Sequence, residues 1–158
     1  MRFRLVGVVA ATLVLAACGS QCGAQPAPTA AAYRWCNRTN EPHYAYVVVQ
    51  HMSGVRMETC VNFAPSFIDG VTALDRTGIE FQTLRIGTAT VVCQIDLEPA
   101  SIGHCDGQGL GRWVTYVESA GDWRQTGADL TRVRLYNGQA IGWRYIAAGA
   151  APSPPNQL

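Results

Sequence analysis

The chain has 158 residues, with 16 Gly, 8 Pro and 6 Cys, and all 12 of its basic side chains are Arg. Its formal net charge is +1 and only 15% of residues are charged. That near-balance excludes a dedicated nucleic-acid binder, which carries a strong basic excess. An apolar content of 48% fits a packed core and excludes wholesale disorder.

The N-terminus reads MRFRLVGVVAATLVLAAC. Arg2 and Arg4 form a positive leader, and Leu5 to Ala17 form an uncharged, mostly apolar run. That run is too short to cross ~30 Å of hydrocarbon, which takes about 20 helical residues. It therefore reads as an export signal over residues 1–17. Leu15-Ala16-Ala17-Cys18 resembles the bacterial lipobox. The resemblance implies that the Cys18 thiol receives a diacylglycerol and that the chain is cut just before it. Lipid chains contribute ~0.8 kcal/mol per buried methylene, and two or more hold a protein stably on a membrane. The expected location is extracytoplasmic, anchored to the cell membrane. Residues 18–32 (CGSQCGAQPAPTAAA) carry no charge and no periodicity, so they read as the lipidated Cys and a flexible stalk. Residues 148–158, with Pro152, Pro154 and Pro155, read as a disordered tail, which leaves residues 33–147 as the folded body.

Within the body, Tyr44 to His51 is rich in β-branched and aromatic residues and predicts a strand. Val55 to Phe63 alternates, with Val55, Met57, Thr59, Val61 and Phe63 on one face. A short helix follows, with Ser66 as the N-cap, Asp69 three residues on, and Phe67, Val71 and Leu74 as its buried face. Gly78 supplies the left-handed stop. Ile79 to Arg85 and Ala89 to Leu97 are further strands, the second with Ala89, Val91, Cys93, Ile95 and Leu97 on one face. Residues 98–111 form a long loop. Arg112 to Glu118 and Trp123 to Gln125 flank a tight connection. Thr131 to Tyr136 and Gln139 to Ile146 flank Asn137-Gly138, a strong hairpin signal.

With Cys18 given to lipid, Cys22 lies in the stalk and reads as the odd thiol. Cys36, Cys60, Cys93 and Cys105 remain, and export to an oxidising compartment predicts bridges. Four cysteines allow three connectivities. The pairs Cys36–Cys60 and Cys93–Cys105 are favoured, because the first staples two hairpin-related segments and the second closes the long loop.

Catalytic signatures are missing. His43, His51, His104, Cys105 and Asp106 show no metal-ligand spacing. Cys93 with His104 would need a free thiol. The run Gly107-Gln108-Gly109-Leu110-Gly111 precedes a strand, whereas an anion-binding loop opens a helix. Asp96 and Glu98 read as solvated strand-end charges. The expectation is a non-enzymatic protein with no metal and no cofactor. Aromatics concentrate in the last third, as Trp113, Tyr116, Trp123, Tyr136, Trp143 and Tyr145. Alternating parity puts some of them inward and leaves others on a face. With Arg124 and Arg144 they could form a stacking surface.

The runs VTALDRTGIEFQT, VVCQID, RWVTYV and RVRLYNGQAIGWRY together resemble the β-grasp domain at the C-terminus of transcobalamin and similar domains of secreted actinobacterial proteins. The resemblance covers about residues 44–146. It implies an α+β, β-grasp-like fold with a mostly antiparallel sheet and one short helix. It also implies non-catalytic binding of a small ring-bearing ligand such as a corrinoid, with Trp113, Tyr116, Trp123 and Trp143 as the ligand-binding aromatics. The alternative is a structural or protein-interaction module of the cell envelope, inhibitor-like roles included. The expected partners are the membrane, through the lipid anchor, and a small molecule or an envelope protein, with no nucleic acid.

Overall fold

The computed structural model describes residues 36, 40–103, 105, 111–127 and 129–156. The leader, Cys18, Cys22, the stalk, His104 and Asp106 lie outside the described residues. The chain runs β1 (His43–Gln50), β2 (Arg56–Phe63), α1 (Gly70–Asp75), β3 (Phe81–Ile86), β4 (Ala89–Ile95), β5 (Gly111–Ser119), β6 (Asp122–Gln125), a 3-10 turn (Leu130–Arg132) and β7 (Ala140–Ala147). Five strands form one sheet in the order β2-β1-β7-β5-β6, and β3 with β4 form a separate hairpin. All pairings are antiparallel except β1 with β7. The protein is thus a small α+β fold, mostly sheet, with one short helix among the described residues.

Period-two alternation builds the core. Ala45, Val47 and Val49 of β1 share a face with Val61 and Phe63 of β2 and with Ile141 and Trp143 of β7. On that face pack Ala73 and Leu74 of α1, Val92 and Ile95 of β4, and Leu130, Val133 and Leu135. The alternation of β2 follows the sequence pattern within the strand, with Val61 and Phe63 buried, but Val55 lies before its start and is 60% exposed.

The helix begins later than its sequence signals suggest. Ile68 is tied to Leu135 by two backbone hydrogen bonds, of 3.0 and 2.9 Å, which keeps the chain extended past Ser66. Asp69 therefore caps the helix in place of Ser66, accepting from Thr72 N at 3.0 Å and from Thr72 Oγ1 at 2.8 Å. Phe67 leaves the helical face and lies 39% exposed, its ring against Tyr136 and under the Arg134 guanidinium. Gly70 opens the helix where a Cβ would sit 3.2 Å from both Ile141 Cδ1 and Leu130 O, so close packing offsets its low helix propensity. Gly78 adopts φ +73° as the left-handed stop.

Two strand expectations need correction. Residues 131–136 do not pair with β7, because β1 and β5 already occupy both of its edges. That run instead forms the 3-10 turn and the single bridge Leu135–Ile68. The Asn137-Gly138 turn docks on β1, where Gly138 N donates to Tyr44 O at 2.8 Å and Tyr44 N donates to Asn137 Oδ1 at 3.1 Å. Leu97 is not the last inward residue of β4. A register shift at Gln82/Thr83 breaks the alternation, Val92 to Ile95 are buried in succession, and Leu97 turns out 65% exposed.

Asp129 ties the 3-10 turn to β4, accepting from Thr131 Oγ1 at 2.7 Å and from Thr90 N at 3.1 Å. Those bonds, the Thr131 hydroxyl first, hold its carboxyl below the ordinary carboxylate range.

Both disulfides form as the spacing favours, Cys36–Cys60 and Cys93–Cys105, with Cα separations of 5.2 and 4.8 Å. They fit an oxidising, extracytoplasmic compartment. No helix among the described residues is long and apolar enough to cross a membrane.

The end of the chain differs from the disordered tail expected of its composition. Ala150 N bonds Ala147 O at 3.1 Å, which turns the chain back over the sheet's outer face. Pro155 there is fully buried. The sheet is therefore covered on both sides.

Candidate functional site: the cleft between the hairpin and the main sheet

β6 pairs with β5 only from Tyr116 onward, so the first half of β5 has an open edge. β4 pairs only with β3 and has an open edge too. Between these edges lies a cleft of about 400 Å³. That is within the range of small-molecule sites, roughly 300–1,000 Å³. Its walls are mainly aliphatic, from Ile86, Val91, Val92 and Val114, with Cys105 of the disulfide at one side. Trp113, Arg112 and the polar Thr115, Gln125 and Thr126 complete the lining.

Trp113 is held from behind by a polar cluster. Its Nε1–H donates to Glu98 O at 2.9 Å. Its ring meets His51 and Tyr145 edge-on, at centroid distances of 5.8 and 5.1 Å. The Glu98 carboxylate accepts from His51 Nδ1 at 2.7 Å and from Met52 N at 3.3 Å. That bond places the proton of a neutral His51 on Nδ1. Nε2 faces Asp96 Oδ2 at 3.5 Å and makes no hydrogen bond. Burial, and secondarily the Glu98 charge, push the Tyr145 phenol above its ordinary pKa, so the ring stays neutral across the physiological range. Asp96 and Leu97 sit at φ +47° and +61°, the left-handed region that non-glycine residues rarely occupy. This turn aims the two carboxylates at the His51 ring. Fixed neighbours restrict the rotamers of Trp113.

The four aromatics singled out in the sequence do not meet at one place. Trp113 lines the cleft. Trp143 is 0% exposed in the core. Tyr116 and Trp123 pack with Val114 and Ile146 on the opposite face of the sheet. Burial raises the Tyr116 pKa despite the nearby Arg144 and Arg112 charges. Arg144 is engaged by Ser153 and Pro154, and is not stacked on these rings. The sequence singled out His51 only as a poor metal ligand and Tyr145 only as one of the late aromatics, and it did not reveal their packing on Trp113 or the aliphatic wall. It grouped Glu98 with Asp96 as a solvated charge, whereas the Glu98 side chain is only 23% exposed against 53% for Asp96. The available signal was His51 ending a buried apolar strand, where a partnered histidine is expected.

Among the described residues no group of three or more His, Cys, Asp or Glu could hold a metal ion. Their four cysteines are all in disulfides. No family model matches the chain and no curated protein matches it. Among solved structures, it is similar to a protein from Ruminococcus gnavus ATCC 29149 described as a candidate metal binder. The likeness has a TM-score of 0.46 and 11% identity, covering 66% of this chain and 97% of that one.

Proposed function

We propose that this protein is an extracytoplasmic lipoprotein whose β-grasp-like domain binds a small ring-bearing ligand, without catalysis, in the cleft over Trp113. The observation that carries the reading is the Trp113 ring, buttressed through Glu98, in a cleft with aliphatic walls. An aromatic ring between aliphatic walls suits a planar, ring-bearing ligand. The strand order, with β1 parallel to β7 in the middle of the sheet and α1 following the first hairpin, supports the β-grasp part. The Leu15-Ala16-Ala17-Cys18 sequence supports the anchor, and the two disulfides support export.

Titration calorimetry with cyanocobalamin and with planar aromatic carboxylates tests the binding part. Heat of binding is expected for at least one of these probes, with at least about a tenfold loss of affinity in Trp113→Ala, one buried stacking contact being worth 1.4 kcal/mol or more. No heat from any probe would leave the interaction module as the reading. For the anchor, Cys18→Ser is expected to abolish cleavage and acylation and to remove the mature protein from the membrane fraction. A normally cleaved Cys18→Ser product that stays in the membrane fraction would refute lipidation at that residue.

A further inference from the structure

On the sheet face opposite the core, the chain's own tail is held as a bound peptide would be. Gln50 of β1, Arg56 of β2 and Arg144 of β7 share this outer face. Arg144 donates to Ser153 Oγ at 2.8 Å and to the Pro154 carbonyl at 2.9 Å. Arg56 donates to the Asn156 carbonyl at 3.1 Å, and Asn156 N donates to Gln50 Oε1 at 2.7 Å. Three of these four bonds read backbone groups, and the fourth reads a small hydroxyl. The ring of Pro155 fills a pocket that exists because residue 142 is glycine. A Cβ there would lie 2.7 Å from Pro155 Cγ and 2.9 Å from Trp123. Trp123 extends the wall with Tyr116, Val114 and Ile146 behind it. An aromatic wall, a slot for one proline ring and side chains that bond the carbonyls of an extended backbone are the parts of a polyproline-type recognition groove. A proline-rich segment suits such a groove because it is already extended and loses little entropy on docking.

We propose that this outer-face groove is a receptor for proline-rich segments of a partner protein, and that residues 153–156 occupy it in cis as a displaceable pseudo-ligand. The partner's segment is an extended chain carrying Ser-Pro-Pro or a close equivalent, since that is the chemistry seated there. A short turn at residues 147–150 joins the tail to β7, so the cis segment competes at an effective concentration in the millimolar range. A partner therefore succeeds when it is tethered nearby or presents several copies. The groove's polar contacts, Gln50, Arg56 and Arg144, are not among the residues that line the Trp113 cleft.

The test uses the full chain and a fluorescently labelled peptide of residues 150–158. The variant Pro155→Asp weakens the cis segment and leaves the groove intact. It is expected to bind the peptide at least about tenfold more tightly than the wild type. Adding Arg144→Met to that variant is expected to cost about tenfold, and a peptide with P154A and P155A is expected not to bind. No binding to the Pro155→Asp chain, or equal binding of the alanine peptide, would overturn the proposal and make the tail a structural staple. The wild-type chain gives an answer that does not depend on the variant folding. Excess peptide is expected to speed hydrogen exchange at the Asn156 amide as that amide leaves Gln50, and an unchanged exchange rate at several millimolar peptide would equally overturn the proposal.

Discussion

Trp143→Ala is expected to destabilise the domain by about 3–5 kcal/mol, whereas Trp143→Phe costs under about 2 kcal/mol. Trp143 is fully buried on β7, opposite Val49 of β1 and Thr115 of β5, and it packs into the main core. Truncation removes the largest fully buried side chain and leaves a cavity that a sheet held on both edges of β7 cannot close. Phenylalanine keeps most of the volume. It also removes an indole N–H that has no hydrogen-bond partner, and an unpaired buried donor already costs about 1–3 kcal/mol. Thermal unfolding should show a fall of roughly 10 °C or more for the alanine variant. The contrast with Trp113 is the informative part. Trp113→Ala should remove ligand affinity, and Trp143→Phe should leave it intact. If Trp143→Phe abolished binding in a folded protein, Trp143 would belong to the ligand site and the division of the aromatics would be wrong.

Removing the Cys93–Cys105 bridge is the second large effect. The bridge closes a separation of 12 residues, and by the loop-entropy relation it contributes about 3 kcal/mol. The Cys36–Cys60 bridge spans 24 residues and contributes a similar amount. Their consequences differ by position. Cys60 is on β2, at the far side of the sheet from the cleft, while Cys105 lines the cleft wall. Cys93→Ser with Cys105→Ser should therefore lower the melting temperature and weaken binding together. Cys36→Ser with Cys60→Ser should lower the melting temperature with affinity retained. Melting curves and titrations on the two double variants check this, and equal losses of affinity would remove the disulfide from any role at the cleft.

The strands with strict alternation were legible because one face of each is core, as Val61 and Phe63 show on β2. Both disulfides were legible from spacing together with export. The helix start was not, because a long-range bridge from Leu135 to Ile68 outweighed the local capping signal at Ser66. The Asn137-Gly138 turn misled for a similar reason. Its strand partner was already flanked by β1, a pairing 94 residues distant that no local pattern reveals. Of the site, Trp113 was legible as an aromatic of the right type. Its separation from Tyr116 needed only strand parity, and its separation from Trp143 needed the core. The His51–Glu98 contact joins the end of β1 to the turn after β4, across 47 residues; the sequence hints that His51 has a partner but does not say which. The tail was misread because proline content describes a free chain, and a glycine at 142 with arginines on the same sheet face turns that chain into a ligand.

Ligand binding in the β4–β5 cleft, stacked on Trp113, can be read residue by residue in solution. Proton–nitrogen spectra recorded during titration with the tightest of the ring-bearing probes test it most directly. Shifts are expected at the Trp113 indole and at the Val91, Val92 and Thr115 amides, with the Trp123 indole on the outer face unmoved. Shifts centred on Trp123, with Trp113 unchanged at saturating probe, would contradict it.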